Sequence, residues 1–415
     1  MKNISTGLAV AFVIPLLAAC ASRQEVPHPA TAFTPPPSTS IDNSNTFQVP
    51  LGLEPQVAFW RNVYSVWGLD QVALHDDRYL DLVYEVINLP GSASDGYGDG
   101  QRDYTRERQE IWKAQLRELE RKILSGEALN PPEQALAARI TVSAGPQAVF
   151  GAAERLRSQR GLRERFKRGL EISGRYDKIF KDIFRQAGLP EDFAYLPHVE
   201  SSFQVNARSS AGAAGIWQFT KPAARIYLNN HPALDERLDP VASARGAARY
   251  LRDAHETLDN WPLAVTSYNH GIGGMTRAKQ YFGTDFTQIV RHYEHPYFGF
   301  ASRNFYAEFL AAREIASQPT RFFPEGIRYE APLNWDRVTL ERPVPASTLA
   351  SYYRVDKQQL VAMNAAWTQE AIFDRVALPE GTEVWLPPGT LNRTTQLNQI
   401  SDSALAQADK AIKSQ

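Results

Sequence analysis

The chain has 415 residues, of which 43 % are hydrophobic and 22 % charged, with a net charge of −1. Such a length and composition suit an ordinary globular protein of two or three domains with a sizeable core. The near-zero charge excludes a global field that would draw the chain to nucleic acid or anionic lipid, so any such attraction must come from a local patch. A single cysteine excludes an intramolecular disulfide, and stability has to come from packing.

Met1-Lys2 precedes an apolar run from Leu8 to Ala19, which is too short to span a membrane and fits a secretory leader over residues 1–20. Leu17-Ala18-Ala19-Cys20 resembles a bacterial lipoprotein signal. That resemblance implies lipidation of Cys20, which becomes the mature N-terminus. Ala21 in the next position implies an outer-membrane anchor facing the periplasm. Residues 21–50 turn to Pro, Ser, Thr and Asn and read as a tether, about 30 Å long as a random coil and up to about 90 Å if extended.

Residues 51–145 predict a mostly helical N-terminal region. Phe59, Trp60, Val63, Tyr64 and Trp67 recur at helical spacing, as a buried helix face would. Tyr79 to Ile87 alternates Leu80, Leu82, Tyr84 and Val86 on one face, which suits a short strand, with a helix as the alternative. Gly91 to Gly100 is turn chemistry, and without a following Lys-Ser or Lys-Thr it is no phosphate loop. Thr105–Leu124, Pro131–Ala144 and Pro146–Gln159 read as helices. Eleven basic against four acidic residues between Arg155 and Arg185 make a basic face, solvated in the plain reading and suited to an acidic partner in the functional one.

The most informative stretch runs from Gly188 to Phe219. Pro190, Glu191 and Asp192 predict a helix start, so a helix over about Pro190 to Glu200 is expected. Its mostly apolar body delivers Glu200 to the negative end of the helix dipole. Desolvation and dipole together raise its pKa above the ~4.3 of a free glutamate, which makes Glu200 a candidate general acid. Small residues and Gly215-Ile216-Trp217-Gln218-Phe219 follow, then Ser267-Tyr268-Asn269-His270 at the end of a helix predicted over Trp261–Asn269. Further helices are expected over Ser243–Leu258 and Asn304–Ala316, with a boundary from Gln318 to Pro332.

Glu-Ser, Gly-Ile-Trp-Gln and Tyr-Asn, in this order and at about these separations, resemble the catalytic domain of lytic transglycosylases of the membrane-bound type D group. The likeness runs from Leu162 to Phe322 and implies a mainly α chain with a lysozyme-like helical catalytic domain over residues 146–330. It implies that Glu200 protonates the glycosidic oxygen between N-acetylmuramic acid (MurNAc) and N-acetylglucosamine (GlcNAc) in peptidoglycan. Glu200 then serves as base on the C6 hydroxyl of the muramyl residue, giving a 1,6-anhydro sugar with no metal or organic cofactor. By the same resemblance Ser201, Ser209, Gly215, Gln218, Tyr268 and Asn269 line the substrate site. A tyrosine of the later helix falls on Phe305 or its neighbour Tyr306. The resemblance leaves wall-synthesis and wall-hydrolysis proteins open as partners.

A glycosidase of the usual kind needs two carboxylates, and no Asp or Glu lies between Ser201 and Leu234. A goose-type hydrolase, with water in place of the C6 hydroxyl, and a non-catalytic wall-binding scaffold are the alternatives. Apart from His292 and His295, in a loop-like context, no histidine pair stands at ligand spacing with nearby acids, so no metal site is expected. Residues 331–390 read as strand, helix, helix, strand and resemble a LysM module, a small α+β carbohydrate-binding domain. Pro345-Ala346-Ser347-Thr348 replaces the usual Gly-Asp-Thr there. Residues 391–415 form a polar tail.

Overall fold

The computed structural model describes residues 46–396. Cys20, the leader, most of the tether and the end of the polar tail lie outside the described residues. The described chain is mainly helical with two small antiparallel sheets.

Helix α1 (Glu54–Ser65) carries Pro55 in its first turn and buries Val57, Phe59, Trp60, Val63 and Tyr64, the face expected from its spacing. Strands β1 (Gln71–Asp76) and β2 (Val83–Asn88) pair antiparallel with Val72 opposite Ile87, so the strand reading of this segment holds. Helix α2 (Gln101–Ser125) lies between two left-handed glycines, Gly100 at φ +74° and Gly126 at +73°. Helix α3 (Pro131–Ala144) starts in a reciprocal capping box between Asn130 and Glu133.

The helix expected over Pro146–Gln159 does not form. A 3₁₀ turn (Pro146–Val149) and a single turn α4 (Ala152–Arg155) flank Gly151 at φ +71°. Leu156–Arg160 then becomes β3, paired with the free edge of β1 to give the order β2-β1-β3. A vacant strand edge decides this conformation, and no local pattern announces it. The sheet therefore crosses the expected boundary at residue 145 and closes at Arg160. Its own small core, with Val72, Leu74, Ile87, Leu116, Leu119 and Ile140, lies under α2 and α3.

The main core is built by α5 (Arg163–Ser173), α6 (Asp177–Gln186), α7 (Leu196–Glu200), α8 (Lys221–Tyr227), α9 (Pro240–Leu258), α10 (Trp261–His270), α11 (Ile272–Phe282), α12 (Phe286–His292), α13 (Phe300–Ser317) and α14 (Pro319–Phe322). Side-chain caps start several of them: Thr220 on α8, Asp239 on α9, Asn260 on α10 and Asp285 on α12. Helix α1 joins this core by packing on α13 and α5, although it precedes the sheet in sequence.

A small α+β module follows. Strands β4 (Asp336–Thr339) and β5 (Glu383–Leu386) pair antiparallel around α15 (Ala346–Tyr353), α16 (Lys357–Met363) and the short α17 (Gln369–Ile372). Its core takes in Ala233 and Leu234 of the helical domain, so the module is docked. Asp235 N–H donates to Ala366 O at 2.7 Å and Thr368 N–H to Ala233 O at 3.0 Å, which seals the seam. Among the described residues no helix is long and apolar enough to cross a membrane.

Candidate functional site

The single helix expected over Pro190–Glu200 is split. Glu191–Tyr195 winds as a 3₁₀ turn and only Leu196–Glu200 is α-helical. Pro197 explains the break, because it has no N–H to offer Phe193 O, which accepts from Leu196 instead. Glu200 still comes last, at the negative end of its helix. Its chain leaves through Ser202 at φ +50° and Phe203 at +61°, two non-glycine residues in left-handed backbone. Gln218, at +48°, is a third. Such conformations cost of order 1–3 kcal/mol each and gather at functional sites.

Hydrogen bonds tie this exit to the Gly215–Phe219 turn. Ser201 is buried and its hydroxyl donates to Ile216 O at 2.8 Å. Tyr268, delivered by α10, donates to Trp217 O at 2.9 Å. Gln218 Nε2 donates to Gly215 O at 2.7 Å and to Ala207 O at 3.3 Å. Beneath them the Trp217 indole is fully buried, and its Nε1 donates to Pro240 O at 3.2 Å. The backbone around the acid is thus fixed by three side chains of the expected set.

The Glu200 carboxyl makes no hydrogen bond or ion pair among the described residues. Burial, and after it the negative charge of Glu308, push its pKa from 4.5 up to about 8. Burial raises the phenols of Tyr64 and Tyr268 well above their usual value, and a negative charge on Glu200 would add to the rise in both. At neutral pH Glu200 holds its proton with no donor competing for its oxygens. That is the state required of a general acid.

The other expected residues divide. Asn269 is exposed, and its Oδ1 accepts from Ser302 Oγ at 2.7 Å, which links α10 to the start of α13. Ser209 braces its own turn: its Oγ accepts from Ala213 N–H at 3.0 Å. Gly215 is required by the fold itself. A Cβ there would stand 1.7 Å from Arg237 O, and φ is +79°. Tyr306 is 1 % exposed and donates to Gln48 O at 3.1 Å, and Phe305 is buried beside it.

Two residues escaped the sequence reading. Glu308, a partly buried acid on α13, has its pKa raised by burial, and a hydrogen bond from Tyr64 opposes that rise. Tyr64 on α1 donates to Glu308 Oε2 at 3.4 Å across a separation of 244 residues. The available signal was a lone acid inside the otherwise apolar run Phe305–Ala312. Elsewhere, an open hollow of about 660 Å³ between Pro50–Glu54 and Thr284–Arg291 holds none of these residues. No group of three His, Cys, Asp or Glu is arranged to hold a metal ion among the described residues.

A helical domain that places a buried carboxyl at a helix end, beside a tyrosine and a glutamine turn, forms the candidate site. Residues 178–289 match the sequence model described as Transglycosylase SLT domain, a span that holds Glu200, Gln218 and Tyr268 but neither Tyr64 nor Glu308. The chain is 28 % identical over 191 residues to membrane-bound lytic murein transglycosylase D of Escherichia coli K12, across 44 % of this chain and 40 % of that protein. Membrane-bound lytic murein transglycosylase F 2 of Alkalilimnicola ehrlichii is 35 % identical over 114 residues, 26 % of this chain and 24 % of its own length. The 70 kDa soluble lytic transglycosylase of Escherichia coli superposes with a TM-score of 0.29 at 15 % identity, over 55 % of this chain and 44 % of that one. The chain thus spans well under two thirds of the length of these relatives.

Proposed function

We propose that this chain is a lytic transglycosylase that cuts the β-1,4 bond between MurNAc and GlcNAc in peptidoglycan. The observation that carries the reading is the Glu200 carboxyl, held protonated up to about pH 8 in a turn fixed by Ser201, Gln218 and Tyr268. Glu200 gives its proton to the glycosidic oxygen as the bond from C1 breaks, and the GlcNAc side leaves as an alcohol. The Glu200 carboxylate then takes the proton of the C6 hydroxyl as O6 closes on C1. No water is consumed and Glu200 ends protonated, ready for the next cycle. The N-acetyl group of the substrate supports the positive charge at C1.

In this reading Gln218, Tyr268 and Asn269 border the glycan, while Ser201 and Ser209 hold the turns that shape its path. The C-terminal module is a LysM-like contact with the wall. Lipidated Cys20 and the tether keep the catalytic domain near the outer membrane on its periplasmic side.

A second reading, hydrolysis with water in place of the C6 hydroxyl, draws support from Glu308 as a second carboxyl near Glu200. Mass spectrometry of muropeptides released from purified sacculi separates the readings, because the anhydro product is lighter by one water. Anhydro-muropeptides from the wild type, with Glu200→Gln at least about 1,000-fold slower, are the expected outcome. Reducing muropeptides would establish hydrolysis. Release by neither protein, with sacculi still bound, would leave a wall-binding scaffold.

A further inference from the structure

Helix α1 lies outside the span matched to the transglycosylase domain, yet it reaches the acid. Tyr64, on the last turn of α1, is 4 % exposed, and its ring stacks on Phe166 at 4.9 Å. Phe166 stacks in turn on His198, two residues before Glu200, also at 4.9 Å. This stack holds the Tyr64 hydroxyl against Glu308, and α13, which carries Glu308, packs on α7, which carries Glu200.

We propose that Tyr64 and Glu308 are positioning residues that decide where the proton of the site resides: the Tyr64 hydroxyl donates to Glu308, which favours ionisation there and leaves the proton on Glu200. The inference rests on the reading of Glu200 as the acid. Glu200 and Glu308 sit in similar apolar surroundings, and burial alone gives neither a clear claim to the proton. The phenol breaks the tie. A donor to a carboxylate stabilises its ionised form, and the charge so created on Glu308 makes ionisation of Glu200 harder.

The surrounding groups leave this pair to itself. On α1, Arg61 is bound to Glu314 at 2.6 Å, and on α13 Arg313 is bound to Asp192 at 2.6 Å. On α5, the charge acting on Arg165 is that of Asp95, and Arg163 and Lys167 are both paired with Glu325. His198 on α7 is buried and neutral, its pKa lowered to about 3. From α10 come the neutral phenol of Tyr268 and His270, whose Nδ1 lies 3.4 Å from Ser302 Oγ. Tyr64 is the one group that hydrogen-bonds either glutamate among the described residues.

The test is a carbon-13 NMR titration of the glutamate carboxyls in the full chain, run beside kcat and KM on sacculi against pH. Tyr64→Phe is expected to move the Glu308 titration to higher pH and that of Glu200 to lower pH. The alkaline limb of kcat follows Glu200 down by about one pH unit, with KM within about twofold. Glu308→Gln moves that limb the same way, and Glu308→Asp restores it. If Glu200 titrates unchanged in both Tyr64→Phe and Glu308→Gln, the proposal is wrong. Opposed shifts in a chain that cuts no glycan would instead leave the proton pair standing and remove the transglycosylase reading.

Discussion

Asp76 at the end of β1 and Glu200 at the end of α7 are both acids in apolar surroundings, and they differ in what meets their oxygens. Asp76, with its side chain 0 % exposed, is met by Arg155 Nε at 2.9 Å and by the N–H groups of Arg78 and Tyr79 at 2.9 and 3.2 Å. Arg155 also donates to the carbonyls of Phe150 and Ala148, so the guanidinium stitches β1 to the turn before β3. Glu200 has no such donors. Burial raises both acids, but at Asp76 the arginine and the two N–H groups oppose it, whereas at Glu200 the next contribution, from Glu308, raises the pKa further. A buried acid supplied with donors can ionise in place, and one left without them holds its proton.

The comparison is broken most severely by removing the donor from Asp76. Arg155→Met keeps the length of the side chain and strands a fully buried carboxylate, which is expected to cost about 3–5 kcal/mol in urea unfolding. The rate of glycan cleavage per folded molecule should stay within about twofold, since the sheet packs a core of its own under α2 and α3. A fall in rate without a fall in stability would mean that the sheet, too, shapes the site.

Glu200 tests the other side. Its pKa is raised on folding, so its contribution to stability is complete below the unfolded value near 4.5 and is lost as pH rises through about 8. Glu200→Gln removes that loss. The variant should unfold like the wild type at pH 4 and be more stable by about 2 kcal/mol at pH 8, a figure already reduced for the partial exposure of the group. Equal slopes of stability against pH in both proteins would show Glu200 to be an ordinary solvated acid.

These two acids also show what a sequence carries and what it hides. Glu200 was legible because its apolar lead-in, its helix end and the Gly-Ile-Trp-Gln turn lie within a few residues of one another. The strand at Val83–Asn88, most of the helix bodies and the strand–helix–helix–strand order of the last module were legible for the same reason, since periodicity and caps act locally. Glu308 and Tyr64 meet only when α1 packs on α13, and β3 is a strand only because β1 has a free edge. At Gly215 the sequence hid a requirement of the fold, Arg237 O, which folding brings against it. Pro197 was read as part of one helix, and its missing N–H divides that helix in two.

Asp239 offers the finest version of the contrast, because its donors come from two units. It caps α9 through Val241 and Ala242 N–H at 2.7 and 2.8 Å, and its other oxygen accepts from Trp385 Nε1 of the C-terminal module at 3.1 Å. Burial still raises its pKa, and the Trp385 donor opposes that rise. Trp385→Phe removes this bond, at an expected cost of about 1.5 kcal/mol, together with a pH-independent share from the smaller ring's packing against Trp335 and Arg337. The donor acts on the ionised carboxyl, so the cost should shrink as pH falls and Asp239 takes up its proton. A loss that does not vary between pH 8 and pH 4 would assign Trp385 to packing alone. One that falls in acid to a constant remainder would show the seam between module and helical domain to be held in part by a single capped carboxylate.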